Sequence, residues 1–201
     1  MNRKKIGILG GTFNPIHNAH LAMAEAALLQ GDLEEIWFMP SKNPPHKSND
    51  EIVSELFRSS MIKLAILPRP HFIYSDYELQ REGTTYTAET LKGLQKDYPD
   101  MEFSFIIGGD SFFNIEKWYH PEEILSGCRI LAISRDGATT QQMLQHKDYL
   151  IQKYHANIQI VSMEQMDISS SQIRQAIKNG EKEIPVPDHV AEYIRTNDLY
   201  K

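Results

Sequence analysis

Along the chain, short apolar runs alternate with amphipathic stretches. Lys5 to Leu9 is brief and β-prone and ends in Gly10-Gly11, after which Asn18 to Gln30 carries Leu21, Ala24 and Leu28 at helical spacing. Strand, glycine turn and helix are predicted in that order. Glu35 to Met39 predicts a second strand, closed by Pro40 and followed by a proline-punctuated loop from Ser41 to Asn49. A helix over about Glu51 to Leu67 comes next, its apolar face marked by Val53, Phe57, Met61 and Leu64, and Phe72-Ile73-Tyr74 makes a short third strand. Ala88 to Tyr98 predicts a helix, and Glu102 to Ile107 a buried strand ending in Gly108-Gly109-Asp110. Pro121 to Ser126 reads as a helix begun by proline, Arg129 to Ser134 and Ile158 to Val161 as the last strands, with helices over the remainder.

This alternation predicts an α/β fold, a doubly wound parallel sheet covered on both faces and joined by right-handed crossovers. There is no internal repeat or linker, and 201 residues suit one core, so a single domain over residues 1–201 is expected. Ligands of such sheets bind at the carboxyl ends of the strands. Gly10-Gly11, Pro40 to Lys47, Gly108 to Asp110 and Arg135 all fall at that edge.

Composition narrows the classes. With 41% hydrophobic residues, 11 glycines and 10 prolines, the chain is neither low-complexity nor disordered, and no apolar run approaches the length of a membrane span. The basic start Asn2-Arg3-Lys4-Lys5 precedes an apolar run broken by Gly7, Gly10 and Gly11, so a signal-peptide core is absent and a cytoplasmic location is expected. The 21 basic against 27 acidic residues, a net charge of -6, argue against nucleic-acid and membrane partners. A phosphate-bearing small molecule remains, because local amides and a few cations hold such ligands. The single cysteine, Cys128, has no metal-ligand spacing around it and reads as a core thiol.

The most informative stretch is Gly10-Gly11-Thr12-Phe13-Asn14-Pro15-Ile16-His17-Asn18-Ala19-His20-Leu21. It matches neither the Walker pattern nor G-x-G-x-x-G, yet glycines that admit a ligand to the backbone, followed by a helix start, are phosphate chemistry. His17 and His20, three apart, are placed to face one anion and to donate to charge that builds in phosphoryl transfer. Taken alone they also fit surface histidines, whereas zinc lacks a third ligand. Further along, Ile168-Ser169-Ser170-Ser171-Gln172-Ile173-Arg174 places capping serines at a helix start, with Arg174 reaching back over Ser170 and Ser171.

Together these two stretches resemble the nucleotidyltransferase superfamily, whose signatures are His-x-Gly-His after a glycine turn and Ile-Ser-Ser-Thr-x-Ile-Arg. Within it the chain is most similar to the bacterial nicotinate-nucleotide adenylyltransferases. That similarity extends through Pro40-x-x-x-Pro44-Pro45-His46-Lys47, Thr85-Tyr86-Thr87-x-x-Thr90-Leu91, Ile106-Ile107-Gly108-Gly109-Asp110-Ser111, Lys117-Trp118-Tyr119 and the tail from Pro185-x-Pro187 to Leu199-Tyr200. The resemblance implies adenylyl transfer from ATP, with Mg2+, to nicotinate mononucleotide. It assigns catalysis to His17, His20 and Arg174. ATP binding falls to Gly10, Gly11, Thr12, Phe13, Gly108, Asp110, Arg135, Ile168, Ser170, Ser171 and Arg174, and mononucleotide binding to Lys47, Thr87, Trp118 and Tyr119. Lys42 and Lys47 are the loop cations placed to close over phosphates. Other acceptors, nicotinamide mononucleotide or phosphopantetheine, and a nucleotide sensor without turnover are the alternatives; a homo-oligomer is left open.

Two residues depart from the pattern. Asn14 stands where the family more often has Asp, which leaves a turn-bracing role but removes the charge a metal contact would use. Ala19 replaces the glycine of His-x-Gly-His, and its methyl is expected to crowd the adenosine.

Overall fold

The computed structural model describes residues 3–42, 52–81, 83–134 and 137–201. Among these residues six strands, β1 (Lys4–Gly11), β2 (Glu35–Pro40), β3 (Phe72–Tyr74), β4 (Met101–Gly108), β5 (Arg129–Ser134) and β6 (Ile158–Ser162), form one parallel sheet in the order β3-β2-β1-β4-β5-β6. The helices are α1 (Asn18–Gln30), α2 (Glu55–Ile66), α3 (Thr87–Asp97), α4 (Gly109–Asn114), α5 (Pro121–Gly127), α6 (Gly137–Tyr154), α7 (Ser170–Lys178) and α8 (Asp188–Thr196). No helix among the described residues is long and apolar enough to cross a membrane.

Alternation along each strand sends neighbouring side chains to opposite faces, and both faces are covered. Leu9, Ile36, Phe38, Ile106, Leu131 and Ile133 join Ala24 of α1, Met61 of α2 and Val190 of α8 in one core. Ile6, Ile8, Trp37, Met39, Phe105, Ile107 and Ala132 join Leu91 of α3, Ile124 of α5 and Met143 of α6 in the other. Gly7 is needed in β1 because a Cβ there would stand 2.7 Å from both Ile36 Cδ1 and Leu33 Cδ1. Cys128 is buried, as expected, with its thiol donating to the Phe103 carbonyl at 3.2 Å and its pKa pushed up to about 12 by burial.

Three boundaries differ from the sequence expectation in ways that matter. The Gly108-Gly109-Asp110 turn continues as a helix, since Gly108 is extended and Gly109 opens α4. Helix α3 starts at Thr87, one residue early, which puts first-turn amides beside the loop of Thr85 and Tyr86. On α2 the buried stripe is Arg58, Ser59, Met61, Ile62, Ala65 and Ile66, rotated from the predicted one, with Val53, Phe57 and Leu64 only partly covered at its margin. The strand order reverses between β1 and β4, so the carboxyl ends of these two neighbours, Gly10-Gly11 and Gly108, open the crevice where a doubly wound sheet takes its ligand.

Candidate active site

Two cavities share that crevice. The first, of about 380 Å³, is lined by Gly10, His20, Met23, Gly108, Gly109, Asp110, Ser111, Phe113, Ile133 and Gln165 with Trp118. The second, of about 580 Å³, is lined by Gly10, Gly11, Thr12, Ser41, Glu78, Thr85, Tyr86, Thr87, Lys117 and Tyr119, again with Trp118. Gly10, Phe105, Ser111 and Trp118 line both. The half-buried indole, packed edge-to-face with Phe105 at 6.1 Å, therefore stands between the two spaces. A Cβ on Gly10 would meet only Phe105, at 3.6 Å, so packing within the protein does not require that glycine, whose bare backbone borders both cavities.

His20 takes its pose from its own helix start. Its Nδ1 accepts the His17 backbone N–H at 3.2 Å, the His17 and His20 rings stack at 3.7 Å, and Phe13 meets His20 edge-on at 5.0 Å. With Nδ1 occupied as an acceptor, the neutral ring carries its proton on Nε2. His17 does not reach the cavity as expected. It is the N-cap of α1, 5% exposed, and lies behind His20. Phe13 is likewise core, 1% exposed against His20 and Phe38, and Gly11 and Thr12 line the second cavity rather than the first.

The second motif clasps the first. Ser169 caps α7 by accepting the Gln172 N–H at 3.2 Å, Ser170 Oγ donates to the Pro15 carbonyl at 2.9 Å, and Arg174 donates to the Asn14 carbonyl at 3.0 Å and to Ser171 Oγ at 3.4 Å. Ser170 and Arg174 thus meet the turn from the side, Ser171 is tied to Arg174, and Ile168, Ser170, Ser171 and Arg174 line neither shared cavity; Ile168 lines a separate surface hollow. Asn14 is 2% exposed, and its Oδ1 accepts from the Val53 N–H at 3.2 Å and the Tyr200 hydroxyl at 2.9 Å. It braces the turn, as a short amide there should.

Ala19 is 1% exposed and lines neither cavity, so its methyl is packed among the buried residues of α1. Ala19→Gly, in the first turn of α1, is expected to lower stability by up to about 1 kcal/mol, the full helix-interior difference, and to leave the KM for ATP within about twofold. Chemical denaturation and initial rates on one preparation check both; a several-fold lower KM would support crowding of the adenosine.

Around the second cavity, Tyr86 and the 46% exposed Tyr119 stack at 4.3 Å, and Thr87 is the first residue of α3. Glu78, which sequence reading missed, lines the same wall; Thr90 Oγ1 donates to it at 2.8 Å, and burial holds its carboxyl above the usual range. Lys42 is tied to the Arg81 carbonyl at 2.7 Å. Lys47 and Arg135 lie outside the described residues. A fully buried arginine, Arg58, sits behind the glycine turn and was also missed.

Residues 8–176 match the family model described as cytidylyltransferase-like, so the chain belongs to that family of nucleotidyltransferase-fold proteins. It is 48% identical over 198 residues to a probable nicotinate-nucleotide adenylyltransferase of Lachnoclostridium phytofermentans, covering 98% of this chain and 99% of the relative. It is 36% identical over 199 residues to the nicotinate-nucleotide adenylyltransferase of Bacillus subtilis, covering 98% and 99%. Within the wider family it is a member of the nicotinate-nucleotide adenylyltransferases. The solved structure of Plasmodium falciparum nicotinic acid mononucleotide adenylyltransferase complexed with NaAD has the same fold, with a TM-score of 0.78, 22% identity and coverage of 98% of this chain and 97% of that one.

Proposed function

We propose that this chain transfers the adenylyl group of ATP to nicotinate mononucleotide, giving nicotinate adenine dinucleotide and pyrophosphate, a step of NAD synthesis. The observation that carries this reading is the pair of cavities meeting at Gly10 and Trp118, one beside His20 and Asp110 and the other beside Thr87 and Tyr119. Two nucleotides laid in them bring their phosphates together at the glycine turn. The mononucleotide phosphate oxygen attacks the α-phosphorus in line; the new P–O bond forms as the bond to the β-phosphate oxygen breaks, and the electron pair leaves on pyrophosphate. No protein nucleophile is needed, so the protein supplies alignment and charge.

In this reading His20 donates from Nε2 to the α-phosphate, and His17 holds His20 in place through its backbone N–H and the stacked ring. Arg174, beside the Asn14 carbonyl, with the first amides of α7, takes the leaving pyrophosphate. Mg2+ supplies charge neutralisation on the polyphosphate. Among the described residues no three His, Cys, Asp or Glu cluster as a metal cage, and Asp110 is the carboxylate lining the first cavity, a set suited to a metal that arrives on ATP. The test is pyrophosphate release from ATP with Mg2+ and nicotinate mononucleotide, its amide, or phosphopantetheine. Release with the acid is expected; ATP binding without release from any acceptor would make the chain a sensor.

A further inference from the structure

Arg58 is 1% exposed on α2 and is the largest side chain so completely buried. Among the described residues its one side-chain hydrogen bond runs from Nη1 to the Thr12 carbonyl at 2.9 Å, its Nε has no partner, and no carboxylate stands within ion-pair distance of it. The side chains that brace the same turn are the neutral Asn14, Ser170 and Tyr200 and a second cation, Arg174, none of which brings a negative charge. Burial pulls the guanidinium pKa down, and the more distant Glu55, Tyr200 and Tyr74 only oppose that pull. A buried cation with no ion-pair partner among the described residues is costly, and a fold that wanted only packing would place Met or Leu in this stripe.

Among the described residues no carboxylate pairs with Arg58, and the far side of the turn is a cavity open to an anion. Thr12 lines the second cavity and follows Gly10, which lines both, so Arg58 lies one peptide behind the place where, in the adenylyltransferase reading, the phosphates of the two substrates meet. The Thr12–Phe13 peptide is trans, so holding its carbonyl inward on Arg58 points the Phe13 N–H away from Arg58. Charge and peptide orientation both favour an anion at the turn.

We propose that Arg58 is a positioning residue for the polyphosphate, a buried cation behind the glycine turn whose counter-ion is the bound nucleotide. The proposal rests on the adenylyltransferase reading for the identity of that nucleotide, and its test needs no reaction. Arg58→Gln keeps an N–H donor for Thr12 and removes the charge, whereas Arg58→Lys keeps the charge. Binding of tripolyphosphate in magnesium buffer is measured by calorimetry, with KM and kcat for ATP alongside. Arg58→Gln is expected to weaken tripolyphosphate binding and raise the KM for ATP by roughly tenfold, with kcat within about threefold. Its ligand-free melting temperature should equal or exceed that of the wild type, since the uncharged side chain is cheaper to bury. Arg58→Lys should bind within about threefold of the wild type. Wild-type affinity in Arg58→Gln, equal weakness in Arg58→Lys, or failure of Arg58→Gln to fold would each overturn the assignment. A wild type that binds tripolyphosphate yet releases no pyrophosphate with any acceptor would sink the reaction and leave Arg58 as a phosphate-site cation.

Discussion

Replacing His20 with alanine is expected to lower kcat by roughly a hundredfold or more, while the KM for nicotinate mononucleotide changes little. The size follows from preorganisation. Stacking on His17 fixes the ring plane, and the His17 N–H on Nδ1 leaves Nε2 as the donor, so no reorientation is needed when negative charge grows on the α-phosphate oxygens. A donor aimed in advance acts most on the transition state, which is why turnover and not acceptor affinity carries the loss. His17→Ala is expected to reproduce part of the defect, because it removes the stacked face but keeps the backbone N–H. Single-turnover measurement of pyrophosphate release separates chemistry from product release; a His20→Ala enzyme with near wild-type single-turnover rate would remove His20 from the mechanism.

Much of this site is legible in the amino-acid sequence because its parts are local. A glycine turn, a helix start and a histidine pair lie within one stretch of chain, and α1 falls where its periodicity puts it, Asn18–Gln30. What sequence does not reveal is which side of a motif faces the ligand. His17 and His20 share a helix face, yet the N-cap position turns one toward the core and leaves the other at the cavity. Arg174 and Ser170 look like phosphate ligands by type, but their first partners are carbonyls of Asn14 and Pro15, more than a hundred and fifty positions away in the chain. Arg58 does leave a trace: it stands three and four residues before Met61 and Ile62, the heart of the buried stripe, where a charge needs explaining. Glu78 leaves none, since it sits in a turn between β3 and α3 with no period to violate.

Preference for the acid over the amide is expected to reside in the walls carrying Thr87 and Tyr119, at tenfold or more in kcat/KM. The first-turn amides of α3 are donors without helical acceptors, and they open beside Thr85, Tyr86 and Thr87. A substrate carboxylate accepts from such amides, whereas a carboxamide presents two donors of its own, and one misplaced group costs about 1 to 3 kcal/mol. Glu78 works against this preference, as a carboxyl on the same wall; burial disfavours its charged form, while the hydrogen bond from Thr90 favours it and only partly offsets burial. Trp118 is the element that should not discriminate. Its indole stands between the cavities and can stack on a pyridinium ring whatever substituent that ring bears. Trp118→Ala is therefore expected to weaken acid and amide alike, by up to about thirtyfold for a desolvated cation–π contact of about 2 kcal/mol. The deciding quantity is the ratio of kcat/KM for acid and amide in the wild type and in Trp118→Ala. A wild-type ratio near one would sink the nicotinate assignment, and a ratio that collapses in Trp118→Ala would move selectivity from the α3 amides to the indole.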